Sequence, residues 1–174
     1  EDTEAETTLF DSLLRERVEG VFAQTRYLAR KYAAVVANPP YMGAKNMSGE
    51  LKHFVQDHYE DGRADLFAAF IYRLFELVPK HGQLGFMTPY VWLFISSYEQ
   101  MRQRIIRQEH ISSLIQLEYS GFEGATVPIC TFTVENAHKP DFRGGYVRLS
   151  DFRGADQQGP RALEIIQAAR RVGK

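Results

Sequence analysis

Asn38-Pro39-Pro40-Tyr41 is the stretch of this 174-residue chain whose residue types and spacing best suit a reaction. An amide, two prolines and a flat ring in succession suit a planar, weakly nucleophilic amino group. The exocyclic nitrogen of adenine is such a group, because its lone pair is delocalised into the ring. Two acceptors aimed at its two hydrogens favour a pyramidal nitrogen and free that lone pair. The side-chain oxygen of Asn38 can be one acceptor. The backbone carbonyl of Pro39 can be the other, pointed rigidly by the fixed φ of proline. Dipoles set in advance act where charge develops in the transition state. Tyr41 offers a face for the base, and such stacking is worth roughly 1–3 kcal/mol. The freed nitrogen would attack the methyl group of a sulfonium donor in line, a reaction that needs neither a metal nor a general base of low pKa. A base inside a duplex must be extruded before such chemistry, and an extruded base wants an aromatic on each side. Phe122, in the glycine-flanked stretch Ser120-Gly121-Phe122-Glu123-Gly124, is the candidate for the second face. The bland alternative is that four common turn formers follow one another by chance.

Other residues with chemical potential read as structural. Asp65 either contacts a cofactor or caps the helix that follows, and capping is the favoured reading. Thr88-Pro89 either lines the same cleft or merely ends a strand. Lys45 and Lys52 could touch phosphates, but Glu50, Asp57, Glu60 and Asp61 share their segment, which fits a solvated surface equally well. Arg102, Arg104 and Arg107 read as an exposed helix face. His53, His58 and His81 lack metal-ligand spacing, and no metal is expected. Cys130 lies inside an apolar run, as a buried structural thiol would.

The elements that must position Asn38 follow from periodicity. Residues 9–31 read as an amphipathic helix, with Phe10, Leu14, Val18 and Phe22 at four-residue spacing. Residues 33–37 form an apolar run of the kind buried on both faces of a sheet, stopped by Pro39 and Pro40. Residues 42–63 are polar and carry three glycines, and are expected to be a long loop, mobile in the absence of DNA. A strongly apolar helix is expected over 65–79, a strand over 83–88, and a helix over 97–109 with a capping box from Ser97 and Gln100. Strands follow at 111–117 and 128–135, with a weaker one near 145–149 and a helix over 161–171. Alternating helices and strands predict an α/β fold with a mostly parallel sheet. The strands at 111–117 and 128–135 leave no room for a crossover helix, so this pair should be antiparallel. Ligands of such sheets bind beyond the carboxyl ends of the strands, where Asn38 stands.

Composition sets outer limits. Hydrophobic residues make up 44% of the chain and charged ones 25%, a globular profile with enough length for a real core. One cysteine excludes an internal disulfide. The acidic first residues lack the parts of a signal peptide, and no apolar run is long enough to span a bilayer. A cytoplasmic protein without membrane contact is expected. The net charge of −1 speaks mildly against this piece gripping DNA alone, since phosphate neutralisation supplies most of such affinity.

These blocks carry a resemblance. Asn38-Pro39-Pro40-Tyr41 after an apolar strand, Asp65-Leu66-Phe67, Gly85-Phe86-Met87-Thr88-Pro89, and a Gly-Phe loop before the strand over 128–135 resemble the amino-methyltransferases of adenine in DNA. More narrowly, Tyr41-Met42-Gly43, Asp65 to Ile71 and Tyr146 to Phe152 resemble the PglX methyltransferases of BREX phage-defence systems. The resemblance covers about residues 9–155. It implies a partial Rossmann-like S-adenosylmethionine-dependent methyltransferase fold with a final antiparallel strand. It also implies that Asn38 and Pro39 orient the amino group, that Tyr41 and Phe122 sandwich the base, and that S-adenosylmethionine is the donor. Asn38 and Asp65 are the candidates for cofactor contact. Residues 1–140 would then be the catalytic half of a methyltransferase domain, and 141–174 a linker and the start of a target-recognition region. DNA and other proteins of a phage-defence or restriction-modification system are the expected partners. No GxG pattern precedes Asn38, where the family places its main cofactor turn, so the isolated piece is expected to be inactive. Three alternatives stay open: methylation of a protein glutamine amide, methylation of adenine in RNA, and a non-catalytic DNA-binding or assembly subunit.

Overall fold

The computed structural model describes residues 2–119 and 127–172. It divides into two units, residues 1–31 and residues 32–174. The first is a helix, α1 (Asp2–Leu28), within which the Thr25 hydroxyl donates back to the carbonyl of Val21. Its Leu14, Val18 and Phe22 are exposed.

The second unit is built on a five-stranded sheet: β1 (Ala34–Ala37), β2 (Gln83–Pro89), β3 (His110–Gln116), β4 (Ile129–Glu135) and β5 (Gly145–Arg148). The spatial order is β1-β2-β4-β3-β5. The pairs β1–β2 and β3–β5 are parallel, and β4 is antiparallel to both of its neighbours. The sheet is therefore mixed rather than mostly parallel. Four strands share one direction, and β4 opposes them from the middle of the sheet. The short β3–β4 connection forces their antiparallel pairing, as expected. β4 does not end the chain's strands, because β5 follows and pairs with the outer edge of β3.

Alternation along the strands puts Leu84, Phe86, Cys130, Phe132 and Val134 on one face, all buried. Against them pack α3 (Leu66–Phe75), α4 (Glu99–Gln108) and the 3-10 turn Tyr90–Leu93. Phe86 and Phe132 stack at 5.1 Å between centroids, and Trp92 leans on Phe132 at 4.9 Å. Phe67, Tyr72, Phe75 and Tyr98 add further buried rings to the same cluster. The opposite face is open at β1. Val36 is 83% exposed, so the strand over 33–37 is not buried on both faces, in contrast to the sequence expectation. Val35 and Ala37 alternate with Val36 and meet the core on the other face, and among the described residues β1 pairs with β2 alone.

The segment 42–63 also differs from its expected form. It holds α2 (Gly49–His58) and a 3-10 turn, Glu60–Gly62, rather than a loop. Ser48 caps α2 by accepting from the Leu51 N–H at 3.3 Å. Val55 and Met47 then bury themselves against Ala69 of α3. The apolar signal is only a few residues wide, and glycines that suggest a loop serve other ends. Gly49 opens the helix, and Gly62 sits so close to α3 that a Cβ there would lie 2.8 Å from the Ala69 nitrogen.

Smaller corrections have similar causes. Ser97 and Gln100 form no capping box: α4 starts at Glu99 after a 3-10 turn, Ser96–Tyr98, and Tyr98 makes no side-chain cap bond. The last helix, α5, runs from Ala155 to Val172 and passes through Pro160. That proline is the sixth helical residue, just past the four N–H groups that lack helical partners, so it forfeits one bond of the second turn. The exposed arginine face is also only partial. Arg102 donates to the carbonyls of Trp92 at 2.6 Å and Ile95 at 2.7 Å. Arg104 lies over the Tyr72 ring at 4.7 Å, and only Arg107 fits the solvated reading. Among the described residues no helix is long and apolar enough to cross a membrane.

Candidate active site

Asn38-Pro39-Pro40-Tyr41 stands at the carboxyl end of β1, beside the corresponding end of β2. The prolines end the ladder, since neither can donate to it. Pro39 is buried, whereas Asn38 and Pro40 are exposed. The chain then turns so that Tyr41 comes back over its own start. The Tyr41 hydroxyl lies 2.9 Å from Asn38 Oδ1 and 3.1 Å from the carbonyl oxygen of Met87 in β2. The ring stands edge-on to Phe67, with centroids 6.4 Å apart and planes at 86°. Phe67 is wholly buried, so the Tyr41 ring rests on the core while 36% of the residue stays exposed. Partial burial raises the hydroxyl's pKa above the usual value of 10, with the Cys130 thiol a lesser contributor. The phenol is therefore a proton donor at neutral pH.

Asp65 holds the next part of the turn. Its Oδ1 accepts from the Met42 N–H at 2.9 Å and from the Phe67 N–H at 3.2 Å. The second bond is the N-cap of α3, and the extended backbone of Asp65 (φ −154°, ψ 149°) is the usual cap conformation. The first bond ties the residue after Tyr41 to the same carboxylate. A short antiparallel bridge completes the clamp: Leu66 N–H donates to the Met42 carbonyl at 3.0 Å, and Ala44 N–H to that of Ala64 at 3.1 Å. Burial raises the Asp65 pKa, and the N–H bonds from Phe67, Met42 and Leu66 oppose that rise. Next to it, Tyr98 is pushed up to about 12 by burial, with the charge of Asp65 adding to the effect.

Below the turn the chain is locked. Thr88 is fully buried; its hydroxyl accepts from Trp92 Nε1 at 3.1 Å and donates to the Pro89 carbonyl at 3.2 Å. Cys130 faces Thr88 across the ladder, wholly buried, and burial pushes its thiol up to about 11. Such a thiol does not ionise near neutral pH and is no nucleophile. An open concavity of about 510 Å³, lined by Val36, Asn38, Gly85, Met87, Ile115 and Thr131 among others, lies on the uncovered face of the sheet and reaches Asn38.

The structure thus brings together Asn38, Pro39, Pro40, Tyr41 and Asp65. Phe122, the candidate for the second stacking face, lies outside the described residues. Two partners were not foreseen: the Met87 carbonyl, and the Met42 N–H bound by Asp65. Both are backbone groups brought near by the β1–β2 register and by the Gly43–Asp65 bridge, and side-chain types give no sign of them.

The Eco57I restriction-modification methylase family matches residues 2–122. Over 167 residues the chain is 32% identical to the adenine-specific methyltransferase BrxX of Escherichia coli O9:H4 (strain HS), which covers 87% of this chain and 14% of that protein. It is also 32% identical over 145 residues to the adenine-specific methyltransferase PglX of Lacticaseibacillus casei (strain Zhang), covering 80% of this chain and 12% of that one. The chain therefore spans about one seventh of the length of these relatives. Among solved structures, the Type ISP restriction-modification enzyme LlaGI in complex with a DNA substrate mimic superposes with a TM-score of 0.60 at 16% identity, over 83% of this chain and 17% of that one. A Listeria monocytogenes protein assigned to the class I S-adenosylmethionine-dependent methyltransferases superposes with a TM-score of 0.56 at 19% identity, over 78% of this chain and 42% of that one. The fold is that of S-adenosylmethionine-dependent methyltransferases.

Proposed function

We propose that this chain, which belongs to the Eco57I restriction-modification methylase family, is the catalytic part of an enzyme that methylates the exocyclic amino group of adenine in DNA. The observation that carries the reading is the exposed Asn38 amide at the end of β1, its oxygen 2.9 Å from the hydroxyl of a half-exposed tyrosine ring. In this reading Asn38 Oδ1 accepts one hydrogen of the adenine amino group and the Pro39 carbonyl accepts the other. The nitrogen pyramidalises, its lone pair becomes available, and one proton is lost after transfer. Tyr41 stacks on one face of the extruded base. Phe122 is proposed for the other face on the strength of its sequence context. Asp65 acts through Met42 and α3, holding the turn rather than touching substrate.

S-adenosylmethionine supplies the methyl group when bound. The residues present fit only its reacting end: Asn38 is the exposed polar side chain at the edge where a methyl would be delivered. The sequence ahead of Asn38 contains a single glycine, Gly20, and so offers no glycine-rich turn for the nucleoside. Residues 1–140 accordingly read as the second half of a methyltransferase domain, and 141–174 as the lead into a target-recognition region. DNA is the macromolecular partner in this reading. Other proteins of a phage-defence system fit as well, since the relatives BrxX and PglX are adenine-specific methyltransferases of the kind the sequence resembles.

The test is methyl transfer from labelled S-adenosylmethionine to DNA by the longer protein that contains this chain, with its partner proteins present, beside its Asn38→Ala variant. Label in N6-methyladenine that disappears in the variant is the expected result. Cofactor binding without label on DNA sinks the reading in favour of an RNA or protein substrate. Absence of cofactor binding favours a non-catalytic subunit.

A further inference from the structure

Tyr41 does more in this geometry than present a flat face. Its hydroxyl carries one proton and has two acceptors in range, Asn38 Oδ1 at 2.9 Å and the Met87 carbonyl at 3.1 Å. A backbone carbonyl cannot donate, so the hydroxyl is anchored to β2 as a donor or not at all. Towards Asn38 the choice of partner decides which end of the amide faces the ring. With the proton directed at Asn38, the side-chain oxygen is held on the Tyr41 side. With the proton directed only at Met87, the hydroxyl oxygen would be free to accept from Asn38 Nδ2, and the amide would be reversed. A reversed amide would aim N–H donors at an amino group that also offers N–H donors, and the contact would repel.

We propose that the Tyr41 hydroxyl is a positioning group for Asn38: anchored beside the Met87 carbonyl, it keeps Oδ1 and not Nδ2 turned towards the face on which the substrate lies. This rests on the adenine reading above and adds to it a second role for the same tyrosine. Oδ1 has two lone pairs. Tyr41 occupies one, and the other is left for the substrate hydrogen. A phenylalanine at position 41 would keep the ring, its edge-on contact with Phe67 and the stacking face, but would leave the amide free to turn over.

The experiment compares Tyr41→Phe with Tyr41→Ala in the longer protein. Transfer is read as single-turnover rate and as KM for DNA, and base extrusion as the fluorescence of 2-aminopurine placed at the target position. Loss of one hydrogen bond of ordinary strength corresponds to about a three- to tenfold fall in rate. Tyr41→Phe is expected to show that fall with KM and 2-aminopurine signal unchanged, whereas Tyr41→Ala loses the fluorescence signal as well. A wild-type rate in Tyr41→Phe, or a loss of extrusion equal to that of Tyr41→Ala, overturns the proposal while leaving the adenine reading intact. If the wild-type protein methylates no adenine, that reading falls instead. The hydroxyl's role is then judged on this chain by NMR of the Asn38 side-chain amide. Its order parameter should fall clearly in Tyr41→Phe relative to the unsubstituted chain. An unchanged value overturns the positioning role whatever the substrate.

Discussion

Replacing Asp65 should cost more than a helix cap, because its Oδ1 serves two backbone donors of different elements. Loss of the Phe67 bond alone is an ordinary N-cap deletion, worth about 1 kcal/mol. The Met42 N–H, which sits half-buried, would also lose its acceptor, at about 1–3 kcal/mol. Asp65→Ala should therefore destabilise the chain by about 2–4 kcal/mol in all. Asp65→Asn keeps a side-chain oxygen in the same place and should cost under about 1 kcal/mol. Ser48→Ala is the internal standard. Ser48 caps α2 through one bond to Leu51 at 3.3 Å and touches nothing else of this kind, so its loss should cost about 0.5–1 kcal/mol. Urea unfolding of the three variants at pH 7 gives the comparison. Amide hydrogen exchange of Leu66 and Ala44 adds a local check, since both donate across the bridge that Asp65 pins. The reasoning is refuted if Asp65→Ala costs no more than Ser48→Ala, or if those two amides exchange no faster in it. A cost for Asp65→Asn equal to that of alanine would show that charge, not the acceptor, is what matters.

Two further outcomes follow from packing and burial. Gly62→Ala should cost at least about 2 kcal/mol by overpacking, because its Cβ would stand 2.8–3.0 Å from backbone atoms of Ala68 and Ala69. Gly49→Ala meets nothing within 4 Å at the first turn of α2 and should stabilise by about 0.5 kcal/mol; equal melting midpoints for the two would contradict the contact. Glu109 is 3% exposed, with Arg104 Nε 3.8 Å away, and burial raises its carboxyl from 4.5 to about 7 against the pull of that guanidinium. The native state thus holds this proton more tightly than the unfolded chain does. Glu109 costs nothing below pH 4.5, its cost grows between 4.5 and 7, and above 7 it reaches about 3 kcal/mol. Stability should accordingly decline over that window, and Glu109→Gln should flatten the decline in urea melts at pH 5 and pH 8. A variant with the wild-type slope would rule Glu109 out as its source.

Local patterns carried most of the fold and some of the site. β1 and β2 are legible because each is a short apolar run ended by proline, and β3 and β4 because each is a short run rich in β-branched or aromatic residues. α3 is legible because Phe67, Ala68, Ile71, Tyr72 and Phe75 fall on one buried face. α2 is not legible: Leu51 and Val55 are its only inward apolar residues, and its glycines resemble loop punctuation. Sheet order is set by pairings between strands far apart in sequence, so nothing local reveals that β4 lies between β2 and β3. The same limit applies at the site. Asn38 and Tyr41 can be chosen for their chemistry, and Asp65 for its place before an apolar helix. The Met87 carbonyl becomes a partner only through the alignment of Ala37 with Phe86, one residue short of it.

The central place of β4 also bears on how the chain can assemble while it is being made. β2 and β3 have no bonds to each other; each reaches the other only through β4, which is synthesised last of the three. Until residue 135 has emerged, β2 and β3 share no ladder, and Phe86 and Leu84 lack the Phe132 and Val134 that face them across it. The pairing of Gln83 with Glu135 spans 52 positions, a long closure before any reward. The nascent Asn38–Tyr41 turn would therefore stand on an unfinished sheet, and a ribosome stalled before residue 129 would hold Asn38 and Tyr41 without the strand that completes the core beneath them.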